Sequence, residues 1–108
     1  MKDQNEEWRV IAGYEKNYEV SNLGRVRRFN LIFKVFAILN PSLNVNGFFY
    51  VSLKKSPNYK HKRFSIHNLV AIAFIDPHYK PNGNKTVRHI NLIKTDNRLE
   101  NIYLQGRK

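Results

Sequence analysis

The stretch Phe64-Ser65-Ile66-His67-Asn68-Leu69-Val70-Ala71-Ile72-Ala73-Phe74-Ile75 is where the sequence changes period. Ile66, Leu69, Val70, Ala73 and Phe74 fall at i, i+3, i+4, i+7 and i+8, the spacing of one apolar helical face. Ser65 stands where a hydroxyl can cap the first turn. Asp76-Pro77 predicts the stop. N-terminal to this helix the chain alternates instead. Phe48-Phe49-Tyr50-Val51-Ser52-Leu53 is rich in strand formers and follows Asn46-Gly47, a pair that favours a tight hairpin turn. Residues 8–11, 18–21 and 25–29 read as further strands, with Asn22-Leu23-Gly24 turning between the last two. Period two puts Val26 on one face and its flanking Arg25 and Arg27 on the other. The apolar segment 31–39 is read as one more strand. C-terminal to the helix, Thr86-Val87-Arg88-His89-Ile90 is extended. A last helix is expected after Thr95 or Asp96, with Leu99, Ile102 and Tyr103 on one face. The fold class is therefore α+β, a small antiparallel sheet with one packed helix.

The chain has 108 residues, enough for one domain that buries about two thirds of its unfolded surface. Its apolar fraction of 42% supplies a core and argues against intrinsic disorder. No internal repeat or long linker divides it, so residues 1–108 are expected to form a single compact unit. Apolar runs are far shorter than the roughly 20 residues of a bilayer span, so no membrane is expected among its partners. Met1-Lys2-Asp3-Gln4-Asn5-Glu6-Glu7 is too polar for a secretory leader. Zero Cys removes disulfides and thiolate chemistry together, and a cytoplasmic location in a bacterial or phage-infected cell is the expectation.

Charge is the strongest compositional signal. Nineteen Lys and Arg against eight Asp and Glu leave a net +11, and residues 55–108 hold eleven of those cations with three anions. Lys54, Lys55, Lys60, Lys62 and Arg63 form a run without an anion, and Arg25, Arg27 and Arg28 form an earlier knot. Such clusters displace counterions from a nucleic-acid backbone, which makes a polyanion the expected partner. Trp8, Tyr14, Tyr18 and Phe48-Phe49-Tyr50 sit at strand spacing and read as core rather than as base-stacking platforms.

The segment Val87-Arg88-His89-Ile90, followed by Lys94-Thr95-Asp96-Asn97-Arg98-Leu99-Glu100-Asn101-Ile102, resembles the HNH (ββα-metal) motif of phage and intron homing endonucleases. The helix from Phe64 resembles the one that precedes this motif. Glu7-Trp8, Gly13-Tyr14 and Tyr18-Glu19-Val20-Ser21-Asn22-Leu23-Gly24-Arg25-Val26-Arg27 are similar to the nuclease-associated modular DNA-binding motif found at the N-termini of such proteins. The resemblance implies a basic segment, a helix and a C-terminal ββα-metal-like unit over 54–108 behind a DNA-binding motif and hairpins over 1–53. It also implies His89 as the general base for phosphodiester hydrolysis and Asn101 as the residue holding strand and loop so that the imidazole keeps its orientation. If the scaffold cuts, the implied cofactor is a divalent cation, magnesium or manganese.

The sequence departs from that pattern at the implied ligands. Arg88 precedes His89 where the family places a metal ligand, and it has no lone pair to give. The family's second ligand, farther along the helix, has no counterpart in the residues after Asn101. Asn91-Leu92-Ile93 stands where a glycine-containing turn is common. Three readings stay open: a metal nuclease with substitute ligands such as Asp96 or His78; a DNA binder in which Arg88 pairs with phosphate; or His89 and Asn101 serving only to steady a loop. His67, among Ile66, Leu69 and Val70, is expected to make a structural hydrogen bond. The expected function is DNA binding on this scaffold with cleavage weakened or lost, through Arg25, Arg27, Arg28, Lys54, Lys55, Lys60, Lys62, Arg63, Arg88 and Arg98. The alternatives are an active nicking endonuclease and a phage module that inhibits a host DNA-binding enzyme. Double-stranded DNA is the expected partner, a host protein the alternative one, and a monomer or weak dimer the expected state.

Overall fold

The computed structural model describes residues 5–107; Lys108 and the first four residues of the polar N-terminal stretch lie outside them. β1 (Trp8–Val10), β2 (Tyr18–Ser21), β3 (Val26–Asn30) and β4 (Val35–Ile38) form an antiparallel sheet in chain order. Val20 lies opposite Val26, both buried, while Glu19 lies opposite Arg27 on the outer face. The β2–β3 turn needs Gly24 twice over. Its φ is +82°, and a Cβ there would lie 3.0 Å from the backbone of Asn97.

Segment 31–39 is only half strand. Asn30 Oδ1 accepts the N–H groups of Ile32 (2.9 Å) and Phe33 (3.0 Å), which bends residues 31–34 into a turn before β4. Hydropathy alone hid that turn, because its residues are apolar and exposed. A second antiparallel sheet has β5 (Ser42–Leu43), β6 (Phe49–Leu53) and β7 (Lys62–Ser65). At its hairpin Asn44 Oδ1 accepts the N–H groups of Asn46 (2.9 Å) and Phe48 (3.0 Å), and Gly47 takes φ +87°. The end of the basic run is strand β7: Phe64 faces Val51 and Lys62 faces Leu53. Its cations masked a period of two.

Helix α1 (Ile66–Phe74) buries Ile66, Leu69 and Val70 of the predicted face together with Ala71, while Ala73 and Phe74 of that face are half-buried against the core. Ser65 occupies the N-cap position, but its hydroxyl makes no capping bond, contrary to the expectation. The helix packs on β2, β6, β7, β8 and β9, and its apolar face joins Val20, Val26, Val51 and Leu53 in one core. Burying a side chain such as Leu53 or Val70 stabilises the fold by about 1.5–3 kcal/mol.

β8 (Lys85–His89) pairs antiparallel with β9 (Ile102–Gly106), His89 opposite Ile102. The last helix expected from Leu99, Ile102 and Tyr103 does not form. Leu99–Asn101 makes a single 3-10 turn, and β9 follows at once. Buried Ile102 and half-buried Leu104 alternate with exposed Tyr103 and Gln105. The strand period therefore wins over a helical spacing that three residues were too few to establish. The fold class is α+β, small antiparallel sheets with one helix.

Candidate active site and nucleic-acid interface

His89 closes β8, and the loop after it is tied down by amides. Asn101 is buried. Its Nδ2 donates to Asn91 Oδ1 (2.9 Å) and to the Asp96 carbonyl (2.8 Å), and its Oδ1 accepts the Asn91 N–H (3.1 Å). The Ile90 N–H donates to the Asn101 carbonyl at 2.8 Å. Asn101 thus holds the loop, and a different residue holds the imidazole: His89 Nε2 lies 2.8 Å from Asn97 Oδ1. An amide oxygen only accepts, so the bond selects the tautomer protonated on Nε2. Nδ1 keeps the lone pair that a general base requires.

Asn97 is itself buried, with its backbone against Gly24, while the Leu99 N–H donates to the Asn22 carbonyl at 2.7 Å. The β2–β3 turn therefore sets the position of the residue that orients His89. Leu92 adopts φ +64° in the same loop, where the sequence lacks the glycine that would reach that region freely. The Ile93 N–H, donated to Asn91 Oδ1 at 2.9 Å, helps to hold it there.

His67 stands edge-on to His89, ring centroids 5.5 Å apart, and Phe48 packs against both, 5.1 Å from His67 and 6.0 Å from His89. The hydrogen bond expected of His67 is missing at Nδ1, which is buried without a partner. Burial, and secondarily the neighbouring His89, pushes the imidazole down to about 4. His67 is thus neutral at pH 7. Lys94 lies over the other side of this box, 5.1 Å from the Phe48 centroid, and donates to the Asn46 carbonyl at 2.9 Å.

The predicted cations divide into two sets. Arg25 donates to both Glu6 carboxylate oxygens, its Nε at 2.9 Å. Arg27 donates to Glu19 with Nε at 2.9 Å and lies between the rings of Phe36 (3.7 Å) and Trp8 (4.1 Å). Arg98 is clasped by Asp96, Nε at 2.8 Å, and by Glu100. The other set faces solvent. Arg28, Lys54 and Lys55 line a groove of about 760 Å³ with Lys16 and His61, and no carboxylate lines it. Lys60 is exposed in the turn beyond; Lys62 lies 5.6 Å from the Phe64 centroid and Arg63 4.8 Å from that of Tyr50. Arg88 is exposed on β8, one residue from the candidate base.

Residues 6–54 match the family model of the NUMOD4 motif. An uncharacterized HNH endonuclease of Acanthamoeba polyphaga mimivirus is 40% identical over 94% of this chain and 24% of its own length. The DNA endonuclease I-HmuI of Bacillus phage SP01 is 37% identical over 65% of this chain and 37% of its own. A solved structure of the HNH homing endonuclease I-HmuI, concerned with DNA binding and cleavage, matches with a TM-score of 0.74. It is 31% identical and covers 93% of this chain and 52% of that one. The chain belongs to the HNH homing endonuclease family. It spans between a quarter and about half of the length of these relatives.

HNH endonucleases generally use a divalent metal when active. No three His, Asp or Glu side chains among the described residues come together. Asp96, the carboxylate considered as a substitute ligand, takes Nε and Nη2 of Arg98 and Nδ2 of Asn91. These bonds, Arg98 foremost, hold it well below the usual carboxylate range. His78 sits in the turn after α1, its N–H donated to Asp76. Among the described residues no ligand set for a divalent cation is evident.

Sequence reasoning missed Asn97 and Phe48 at this HNH site. Asn97 sits inside the family-like phrase, but its burial depends on Gly24, more than seventy residues away in sequence. Asp96 was expected to cap a last helix, which does not form; its part in clasping Arg98 and Asn91 was not legible.

Proposed function

We propose that this chain binds double-stranded DNA and presents His89 as general base at a scissile phosphate, on a scaffold whose cleavage is weakened by Arg88. One observation carries the reading. The His89–Asn97 bond leaves Nδ1 free, with the exposed guanidinium of Arg88 one residue away. A base so held can take a proton from water, while a fixed cation beside it repels a metal ion and favours a phosphate oxygen. The bare cations of the groove, Arg28, Lys54 and Lys55, supply backbone attraction. Lys60, Lys62 and Arg63 extend it, whereas Arg25, Arg27 and Arg98 already have carboxylate partners.

The test is nicking of supercoiled plasmid with magnesium or manganese. The wild-type chain is expected to retard plasmid in a gel yet nick it slowly, and Arg88→Asp to nick faster. His89→Ala in that background should lower the rate by about a hundredfold or more, the usual contribution of a positioned base. Fast wild-type nicking would overturn the weakened-cleavage reading, and nicking that survives His89→Ala would overturn the base. Failure to retard plasmid at low salt would overturn DNA binding.

A further inference from the structure

The turn between β3 and β4 presents three consecutive apolar side chains to solvent: Leu31, Ile32 and Phe33 are 73%, 85% and 73% exposed. Water disfavours such a tip, and soluble proteins seldom keep one without a use for it. The turn is also built. Asn30 Oδ1 fixes the Ile32 and Phe33 amides, and Lys34 is held left-handed at φ +53°. A fixed turn loses little freedom when it docks.

What surrounds the tip says what it docks into. Leu31 and Ile32 form one wall of the groove whose other lining includes Lys16, Arg28, Lys54 and Lys55, with no carboxylate among the lining residues. The groove is framed by hydrogen bonds. Asn17 Nδ2 donates to the Lys55 carbonyl (3.0 Å), and the Lys54 N–H donates to Tyr18 Oη (3.3 Å). An apolar protein partner would meet a groove lined by cations on one side of the tip, and a second copy would meet its own like charge. A nucleic-acid duplex offers what both halves require: phosphates for the cations and, in the same few ångströms, apolar base faces for the tip.

We propose that Leu31-Ile32-Phe33 is a wedge that enters the base stack of duplex DNA while the adjoining groove holds the phosphate backbone, so that binding unwinds the duplex. This rests on the DNA-binding reading above and adds a deformation to it. Part of the site preference of such a protein would come from how easily a base step opens, at positions where no side chain reads a base edge.

Unwinding is read without knowing the target sequence. Closed circular plasmid is relaxed by a metal-independent topoisomerase in EDTA with increasing amounts of this protein, then stripped of protein and resolved on a gel, with gel retardation measured in parallel. The wild-type chain should displace the topoisomer ladder by several bands at saturation. The triple variant Leu31→Ser, Ile32→Ser, Phe33→Ser should still retard plasmid and leave the ladder near the protein-free position. Ile32→Ser alone, at the most exposed of the three residues and outside the core, should give an intermediate shift and guards against misfolding of the triple variant. Retardation by the wild-type chain without any ladder shift overturns the wedge and leaves DNA binding standing. A full shift by the triple variant also overturns it. No retardation by the wild-type chain overturns both readings. A wild-type dimer that the triple variant converts to monomer, with the ladder unmoved, assigns the tip to self-association instead.

Discussion

In the β1–β4 sheet Arg27 donates to Glu19 between the rings of Trp8 and Phe36, and Arg25 clasps Glu6. The loop of the β8–β9 hairpin is held differently. Asn101, Asn91 and Asn97 join it by neutral amide bonds, and Arg88 on the neighbouring strand stays bare. The outer face of the sheet thus uses its cations to hold shape. The hairpin loop adds the Asp96–Arg98 and Arg98–Glu100 ion pairs to its amide clamp and keeps Arg88 in reserve. The count of nineteen Lys and Arg therefore overstates what a partner meets. The cations that count are those no carboxylate already holds, at the groove and on β8.

Reversing charge at the groove should have the largest effect. With Lys54→Glu and Lys55→Glu together, duplex affinity near 0.1 M salt is expected to fall about fiftyfold, and the slope of log affinity on log salt to lessen by about 2. Arg25→Gln, which removes a cation already answered by Glu6, should leave both nearly unchanged. Fluorescence anisotropy across a salt series measures both quantities. Equal losses at the two places would break the distinction between structural and available cations.

That distinction was only partly legible in the sequence. Period two correctly put Val26 inward with Arg25 and Arg27 opposite, and the spacing of Ile66, Leu69 and Val70 correctly gave α1. Both patterns depend on neighbours a few residues away. The pairing of Arg27 with Glu19, by contrast, follows from strand register, and that of Arg25 with Glu6 from the approach of the residues just before β3 and β1. Nothing local announces either, so these arginines looked as available as Arg28. The same holds at the site. His89 and Asn101 stand out by spacing, whereas Asn97 meets His89 only because the β2–β3 turn, with no Cβ at Gly24, admits its backbone. β9 was misread because a 3-10 turn and a strand start within one helical repeat of each other.

His67, on the helix and edge-on to His89, is where acid should act. An unfolded histidine titrates near 6.5, whereas His67 in the fold is pushed down to about 4 by burial. Between those values the unfolded chain binds a proton that the folded chain does not. Stability is therefore full above about pH 6.5 and falls as the pH drops toward 4, by about 3 kcal/mol in all. Urea unfolding at a series of pH values measures this. His67→Phe, which keeps a ring against Phe48 and His89, should remove most of that slope. An unchanged slope between pH 6.5 and 4 would overturn the assignment to His67, because Glu6 and Asp96, held below their ordinary range, act only at lower pH.

The smallest effect sharpens the comparison most closely, because sheet and hairpin each carry one left-handed residue that is not glycine: Lys34 at φ +53° and Leu92 at φ +64°. Holding such a residue there costs about 1–2 kcal/mol, and glycine relieves it at an entropic cost of about 0.5–1 kcal/mol in the unfolded chain. Lys34→Gly and Leu92→Gly should each raise stability by about 0.5–1 kcal/mol, read as an increase in unfolding midpoint. Both side chains are exposed, so little packing is lost with them. They part company in consequence. Lys34→Gly loosens the tip that Asn30 fixes, and should reduce plasmid unwinding while leaving the Arg88→Asp nicking rate alone. Leu92→Gly lies three residues from His89, in a loop already clamped by Asn91 and Asn101, and should leave both readouts unchanged. A drop in nicking with Leu92→Gly would show that the left-handed backbone, and not the amide clamp alone, aims the imidazole.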